Sequence, residues 1–335
     1  MLRGQKEGPK QALQAVARLI EQRVGGPGAL ARFLHEVAAA WPARTRAEPP
    51  LWRLLATPRR FGAEQLRRLP PHDLVRLHSL PDMIAAHAAR GASLPGAPDI
   101  QRIWAELGLA DACLDALEIV PDGSRAGAAR RLLQGAGSGL SNRALDRLLG
   151  IDVDAVAAIA RHRIDNDPEL EGKWCWQDSG SDVTQTRYED LVTLARSLEP
   201  GTHIVDLGSG FGRLGFILGL LRPSVRFTGL EIVRERVIES NRATKALGLD
   251  STVMHQHADL DVEPVPAADA YFLFFSFPER TASDVLEQLR EIARSRPISI
   301  FVHGLWPGTE LDEVPWLRAV PIEAPFCRFV SSEHH

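Results

Sequence analysis

The segment His203-Ile-Val-Asp-Leu-Gly-Ser-Gly-Phe-Gly-Arg213 constrains this chain more than any other. An apolar run of strand length passes into alternating glycines and then into a helix-forming stretch, the pattern of a strand entering a tight turn that opens a helix. Gly208, Gly210 and Gly212 let the backbone turn sharply and let a ligand approach without a Cβ in the way. The helix start then offers N–H groups that have no partner inside the helix. Nineteen residues after Gly212, Glu231 closes the next strand in Gly229-Leu-Glu231. Two consecutive parallel strands joined by a helix form a βαβ unit, which needs a sheet to sit in.

The flanking sequence supplies that sheet. From residue 183 helix and strand patterns alternate: helix Thr184–Leu198, strand His203–Leu207, helix Gly212–Leu221, strand Val225–Glu231, helix Arg234–Leu247, a strand near Ser251–His257, strand Ala270–Phe277, helix Glu279–Ser295 and strand Ile298–His303. Pro315–Ser331 can add one or two further strands, including an antiparallel one. The expected fold class is therefore α/β, a Rossmann-like and mostly parallel sheet with helices on both faces. It is preceded by an all-α N-terminal domain, because residues 10–163 have helical periodicity and almost no strand signal. Leu13, Val16, Leu19 and Ile20 form one apolar stripe, and Leu30, Phe33, Leu34 and Val37 another. Similar stretches recur at 72–90, 99–119, 124–135 and 142–162. The polar stretch Ile164–Asp182 reads as the linker, so the expected domains are 1–165 and 166–331.

Composition narrows the setting. At 335 residues the chain is long enough for two cores. Cys113, Cys175 and Cys327 are far apart, so neither a disulfide framework nor a metal site is expected. No apolar run reaches the length of a membrane span and the first residues lack a signal-peptide core, which implies no membrane partner and a cytoplasmic location. The closing His334 and His335 read as a tag remnant and carry no argument. Net charge is −4 but uneven: residues 1–150 hold 21 Lys+Arg against 14 Asp+Glu, and the remainder 18 against 29. Arginine excess beside abundant Ala, Pro and Gly fits a GC-rich bacterial genome, so nucleic acid is not expected as a partner.

Two cofactors fit the glycine segment. Gly210-Phe-Gly212-Arg-Leu-Gly215 satisfies GxGxxG, and Glu231 stands where an acid accepts hydrogen bonds from the ribose of an adenosine ligand, as in an NAD-dependent oxidoreductase. Asp206 argues for the other cofactor. A pyrophosphate turn usually avoids a carboxylate, whereas S-adenosyl-L-methionine has no phosphate and carries an ammonium and a sulfonium. No separate catalytic domain follows, which agrees.

With Val-Asp-Leu-Gly-Ser-Gly-Phe-Gly at 205–212 and Gly-Leu-Glu at 229–231, residues 183–331 resemble the class I S-adenosylmethionine-dependent methyltransferase superfamily. A narrower local likeness, in the same two segments, is to histone lysine methyltransferases of the disruptor-of-telomeric-silencing type; it implies no histone specificity here. The resemblance implies that Asp206, Gly208, Ser209 and Gly210 line the methionine and ribose side, with Gly212 allowing the close turn. It implies that Glu231 holds the ribose hydroxyls and that Asp259 contacts the adenine amino group, a solvated turn aspartate being the alternative. In the helix before the first strand, Thr186, Arg187 or Tyr188 would touch the methionine carboxylate, or else simply cover the surface.

An acceptor needs little beyond alignment at roughly 3–3.5 Å and, for an amine or hydroxyl, loss of a proton. Ligands of open α/β sheets bind beyond the strand C-terminal ends. That puts Ser276, Phe277 and Trp306 on the substrate side, with His303 as candidate base and Tyr188 as a second catalytic candidate. Ser276-Phe277-Pro278 departs from the Asn/Asp-Pro-Pro-aromatic turn of many amine-modifying relatives. Trp174 and Trp176 read as domain packing rather than pocket wall. The expected function is methyl transfer to an O or N acceptor of a small molecule or a peptide or protein, with the helical domain as recognition surface or lid and a homodimer admitted. The alternatives are an NAD-dependent oxidoreductase and a non-catalytic binding subunit that retains the fold. A thermal-shift comparison separates the cofactors: adenosylhomocysteine should raise the melting temperature and NAD should leave it unchanged.

Overall fold

A computed structural model describes residues 70–79, 81–82, 109–135, 139–166, 170, 186–274, 277–304 and 306–332. The apolar stripes between Leu13 and Val37, the Trp174–Trp176 pair with Cys175, and Ser276 lie outside the described residues. Contacts divide the chain into two compact units, Met1–Leu148 and Leu149–His335.

In the first unit the described helices are α1 (Pro71–His78), α2 (Leu109–Glu118), α3 (Asp122–Gln134) and α4 (Asn142–Leu149). Leu74, Val75, Leu117, Leu132, Leu133 and Leu145 form its buried apolar layer. Arg125, 6% exposed, donates to the carbonyls of Glu118 at 2.7 Å, Arg147 at 2.8 Å and Leu148 at 3.1 Å. A single guanidinium thus satisfies helix-end carbonyls of both α2 and α4. Cys113 is buried, and burial pushes its thiol up to about 12, which leaves it unreactive.

The second unit contains α5 (Val153–Asn166), α6 (Tyr188–Ser197), β1 (His203–Leu207), α7 (Arg213–Leu221), β2 (Arg226–Glu231), α8 (Arg234–Ala246), β3 (Val253–His257), β4 (Ala270–Leu273), α9 (Glu279–Ser295), β5 (Ser299–His303), β6 (Leu317–Val320) and β7 (Phe326–Ser331). The amphipathic stretch 142–162 is two helices rather than one, broken where Gly150 takes a φ of 81°. Beyond the break, the Asp152 N–H donates to Glu239 of α8 at 2.9 Å, and α5 belongs with the second unit. The β4 strand ends at Leu273, short of the apolar run that continues to Phe277.

The seven strands lie in the order β3-β2-β1-β4-β5-β7-β6. The first five are parallel, and β7 is antiparallel to both β5 and β6. Both faces are covered. Val205, Leu207, Tyr271, Leu273, Ile300 and Val302 cluster with Ala282, Val285, Leu289 and Ala293 of α9. The alternate residues Ile204, Phe227, Phe272 and Phe301 are buried on the other face. There α7 packs so closely that a Cβ on Gly215 would stand 2.7 Å from the Phe227 ring. The chain runs outward from β1 to β2 and β3, then returns to β4 on the other side of β1. This reversal leaves a crevice beyond the C-terminal ends of β1 and β4. Among the described residues no helix is long and apolar enough to cross a membrane.

One buried histidine sits within this frame. The His255 ring lies 5.8 Å from that of Phe216 and 5.5 Å from that of Phe227, with Nε2 3.2 Å from Thr244 Oγ1. Burial lowers its pKa to about 4. The unfolded chain takes up that proton near pH 6.5 and the folded chain only near 4, so this residue costs stability as pH falls across that window. At pH 5 the loss is about 2 kcal/mol. His255→Gln keeps a polar group for Thr244 but does not titrate. Urea unfolding at pH 7.5 and 5.0 should show about 2 kcal/mol less acid destabilisation in the variant than in the wild type; equal losses would refute the buried neutral imidazole.

Candidate functional site

The glycine turn follows β1 directly. The N–H groups of Gly208 and Ser209 both donate to the Leu230 carbonyl, at 2.9 and 2.8 Å, which draws the turn across the end of β2. Gly212 closes it with φ 72° and caps α7. A Cβ there would lie 2.0 Å from the His255 ring, so both the dihedral and the space require glycine. Beneath the turn the strand register aligns Phe272, Asp206, Gly229 and His255 in one row. Gly229 belongs to the same fit, since a Cβ on it would meet Ser209 Oγ at 2.6 Å. Gly210 differs: at φ 57° it has open space where a Cβ would be. The half-buried crest of the turn thus has open space beside it that a ligand can enter.

Two carboxyl groups flank this crest. Asp206 is 4% exposed, and burial, reinforced by the nearby Glu231 charge, raises its pKa well above the ordinary carboxylate value. Glu231 is 5% exposed and firmly held: Oε2 accepts from Gly210 N at 2.8 Å, and Oε1 from Val233 N at 3.0 Å and Arg236 at 3.3 Å. The Arg236 guanidinium also lies over the Phe211 ring, 5.8 Å from its centroid. A cleft opens beside the turn; Asp206 and Gly208–Phe211 line it together with Thr186, Arg213, Phe272 and Phe274.

The other expected site residues divide. His303 is half-buried at the end of β5, with Nδ1 3.4 Å from Thr186 Oγ1 and its ring stacked on Phe274 at 4.5 Å. It therefore adjoins the cleft through two lining residues. Burial lowers its pKa. Arg187 pairs with Glu189, and its neighbour Thr186 lines the cleft instead. Asp259 accepts from Asp261 N at 3.0 Å in a local turn outside the cleft lining. Three expectations need correction. Tyr188 is 1% exposed beneath the Arg213 guanidinium, which lies 5.1 Å from its ring centroid, so its hydroxyl is not available to a substrate. Phe277 and Trp306, expected on the substrate side, are 6% and 4% exposed and meet edge to face at 6.3 Å inside the α9 core cluster. Their aromatic surface is spent on packing.

Sequence reasoning passed over Arg213. It lines the cleft at 4% exposure. The available signal was a lone charge opening the otherwise apolar helix Arg-Leu-Gly-Phe-Ile-Leu-Gly-Leu-Leu.

The cradle fits an adenosylmethionine: a carboxyl for its cationic end, an unobstructed turn crest at Gly210 and a held carboxylate at Glu231. With five parallel strands, an antiparallel β7 inserted between β5 and β6, and this turn at the switch point, the chain has the strand order and the cofactor turn of a class I S-adenosylmethionine-dependent methyltransferase fold. No family model matches the chain. It is 37% identical over 79 residues to the ribosomal RNA small subunit methyltransferase G of Arthrobacter sp. (strain FB24), a match covering 23% of this chain and 37% of that protein. It is 24% identical over 198 residues to the protein of the same name from Vibrio atlanticus (strain LGP32), covering 57% of this chain and 93% of that one. The chain thus spans little more than a third of the length of the first of these relatives. Among solved structures, the magnesium protoporphyrin IX methyltransferase of Synechocystis PCC 6803 with bound SAM is 15% identical, covering 53% of this chain and 97% of that one at a TM-score of 0.36. A methyltransferase from Geobacter sulfurreducens is 18% identical, covering 54% and 90% at a TM-score of 0.36. The class assignment stands on strand order and the turn. The curated relatives act, by name, on ribosomal RNA, and this overturns the expectation that nucleic acid is not a partner.

Asp206 gives the site a measurable signature. Its folded carboxyl keeps a proton that the unfolded chain releases near pH 3.9, so the buried group weighs against the fold increasingly as pH rises above that value. Asp206→Asn, neutral and of the same shape, should raise the melting temperature at pH 7.5 by roughly 2–4 °C. It should also weaken adenosylhomocysteine, measured by calorimetry, by about tenfold or more. A lower melting temperature with unchanged affinity would sink the assignment.

Proposed function

We propose that this chain transfers a methyl group from S-adenosylmethionine to RNA. The donor half is carried by one observation, the cleft lined by buried Asp206 and by the open crest at Gly210, whose N–H donates to the oriented Glu231. Bound there, the cofactor supplies a sulfonium methyl that is electrophilic without further activation. Asp206 receives the cationic end of the cofactor and Glu231 its ribose hydroxyls. Gly208, Ser209 and Gly212 hold the backbone of the cradle.

For the acceptor half, support comes from an aromatic platform beside the cleft. Phe274 stacks on His303 at 4.5 Å, and Phe326 lies tilted against the same ring at 5.4 Å. Planar bases stack on such surfaces with about 1–3 kcal/mol each. The His303 imidazole, its pKa lowered by burial, is neutral near pH 7 and accepts a proton from an acceptor nitrogen or oxygen. The Vibrio relative, matched over 93% of its length, is named for ribosomal RNA. The sequence charge agrees: the excess of arginine over acid is in residues 1–150, the half suited to phosphates.

Tritiated adenosylmethionine incubated with the protein and with total RNA, ribosomal subunits, protein or metabolite fractions tests this reading. Label should enter RNA and be released by ribonuclease. His303→Asn should lower the rate by about 100-fold with adenosylhomocysteine affinity retained. Label that is sensitive to protease, or confined to small molecules, would exclude an RNA acceptor.

A further inference from the structure

The β5–β7–β6 end of the sheet is charged unlike the rest of its half of the chain. Residues 151–335 hold 18 Lys+Arg against 29 Asp+Glu, yet Ser299–His303, Leu317–Val320 and Phe326–Ser331 contain no acid and two arginines, Arg318 and Arg328. Register puts both arginines on one face. Arg328 stands opposite Phe301 of β5 and Val320 of β6, and Arg318 stands opposite Val330, two residues further along β7. Residues two apart on a strand share a face, so the arginines are diagonal neighbours with Cα atoms about 7–8 Å apart. The same alternation brings His303 and its partner Phe326 onto that face. Three rows, roughly 7 Å apart, therefore lead away from the cleft: His303 with Phe326, then Arg328 over Phe301, then Arg318.

The two charges are not spent inside the protein. Arg318 is exposed and Arg328 half-buried. The Arg328 guanidinium lies 5.3 Å from the Phe301 ring centroid, and its Nη2 donates to Ser299 Oγ at 3.2 Å. Among the described residues neither arginine pairs with a carboxylate, whereas Arg242, Arg294 and Arg296 each do. We infer that this face is the track along which the RNA acceptor leaves the cleft. Arg328 and Arg318 contact its backbone phosphates, and the Phe274–His303 stack seats a base at the inner end. The inference rests on the RNA reading above and adds the surface that holds the substrate. Rings for stacking and arginines for phosphates along one strip are the combination that holds single-stranded RNA without reading its sequence.

Fluorescence anisotropy of the full chain with a fluorescein-labelled, unstructured RNA of about 20 nucleotides, read from about 50 to 200 mM KCl, tests the track. Arg318→Gln and Arg328→Gln should each weaken binding by about 3- to 10-fold and lower the slope of log affinity against log salt by about 0.7. Arg318→Lys should keep most of the affinity, because a phosphate also accepts a point charge. Arg294→Gln removes a cation from α9, on the opposite face, and should bind RNA as the wild type does. Calorimetry with adenosylhomocysteine should give affinities within about twofold of wild type for every variant, which reports an intact fold. Arg318 and Arg328 variants that keep the wild-type affinity and salt slope overturn the track. An equal loss in Arg294→Gln does so too, since net charge alone would then account for binding. If Arg328→Gln does not fold, the exposed Arg318 decides by the same two readings. A wild type that neither binds nor labels RNA overturns the RNA reading, and this track with it.

Discussion

The seat of the glycine turn on the His255 ring is the contact from which the rest of this site follows. Gly212 comes so close to that imidazole, and Gly229 to the Ser209 side chain, that neither leaves room for a Cβ without displacement. Their fit, with the two N–H groups donated to Leu230, lays the turn across the row Phe272, Asp206, Gly229 and His255. The crest at Gly210 is thereby pushed outward, and Glu231 is brought within hydrogen-bond distance of it at 2.8 Å. Close packing under the loop and openness above it have the same origin. The Asn241 side chain secures the support from behind by bonding both the carbonyl and the N–H of His255.

Three ionisable groups crowd this small region, and each is handled differently. Glu231 is compensated within the protein by two backbone N–H groups and Arg236. Arg213 lies against the Tyr188 ring and donates to the Thr186 carbonyl. Asp206 is buried near a like charge, and its pKa rises in consequence. A buried carboxyl such as Asp206 that weighs against the fold yet lines a cleft is the usual mark of a binding site. The apolar layers of both sheet faces, where each fully buried large side chain contributes about 1.5–3 kcal/mol, offset that cost.

The acceptor side is built on different terms. Strand ends at β4 and β5 carry aromatic rings whose roles cannot be told apart by residue type. Phe274 and His303 stack beside the cleft, whereas Phe277 and Trp306, a few positions further along each segment, close the α9 core. Side chains alternate about the sheet only within a strand, and Phe274, Phe277 and Trp306 all lie beyond the strand ends. The change of β4 from strand to bend after Leu273 breaks that alternation and hides the outcome from a linear reading.

Much of the second unit was legible from residue order alone. The strand His203–Leu207 and the helix Glu279–Ser295 have the bounds their patterns imply, and the antiparallel strands fall inside Pro315–Ser331. Continuous apolar runs, breakers and glycine spacing are local properties, and secondary structure with the cofactor turn depends chiefly on them. The gathering of Asp206 with Gly208–Gly210, and the reach of Glu231 to that turn, follow from the βαβ connection. Tertiary structure alone decided that Tyr188 lies under Arg213, that Arg213 faces the cleft, that Val153–Asn166 joins the second unit, and that Phe277 and Trp306 are core. Burial and partnership are set by residues distant in the chain, such as Thr186 beside Arg213 and His255 beneath Gly212. Spacing along a sequence reports which face of an element a residue occupies, and only packing reports what that face meets.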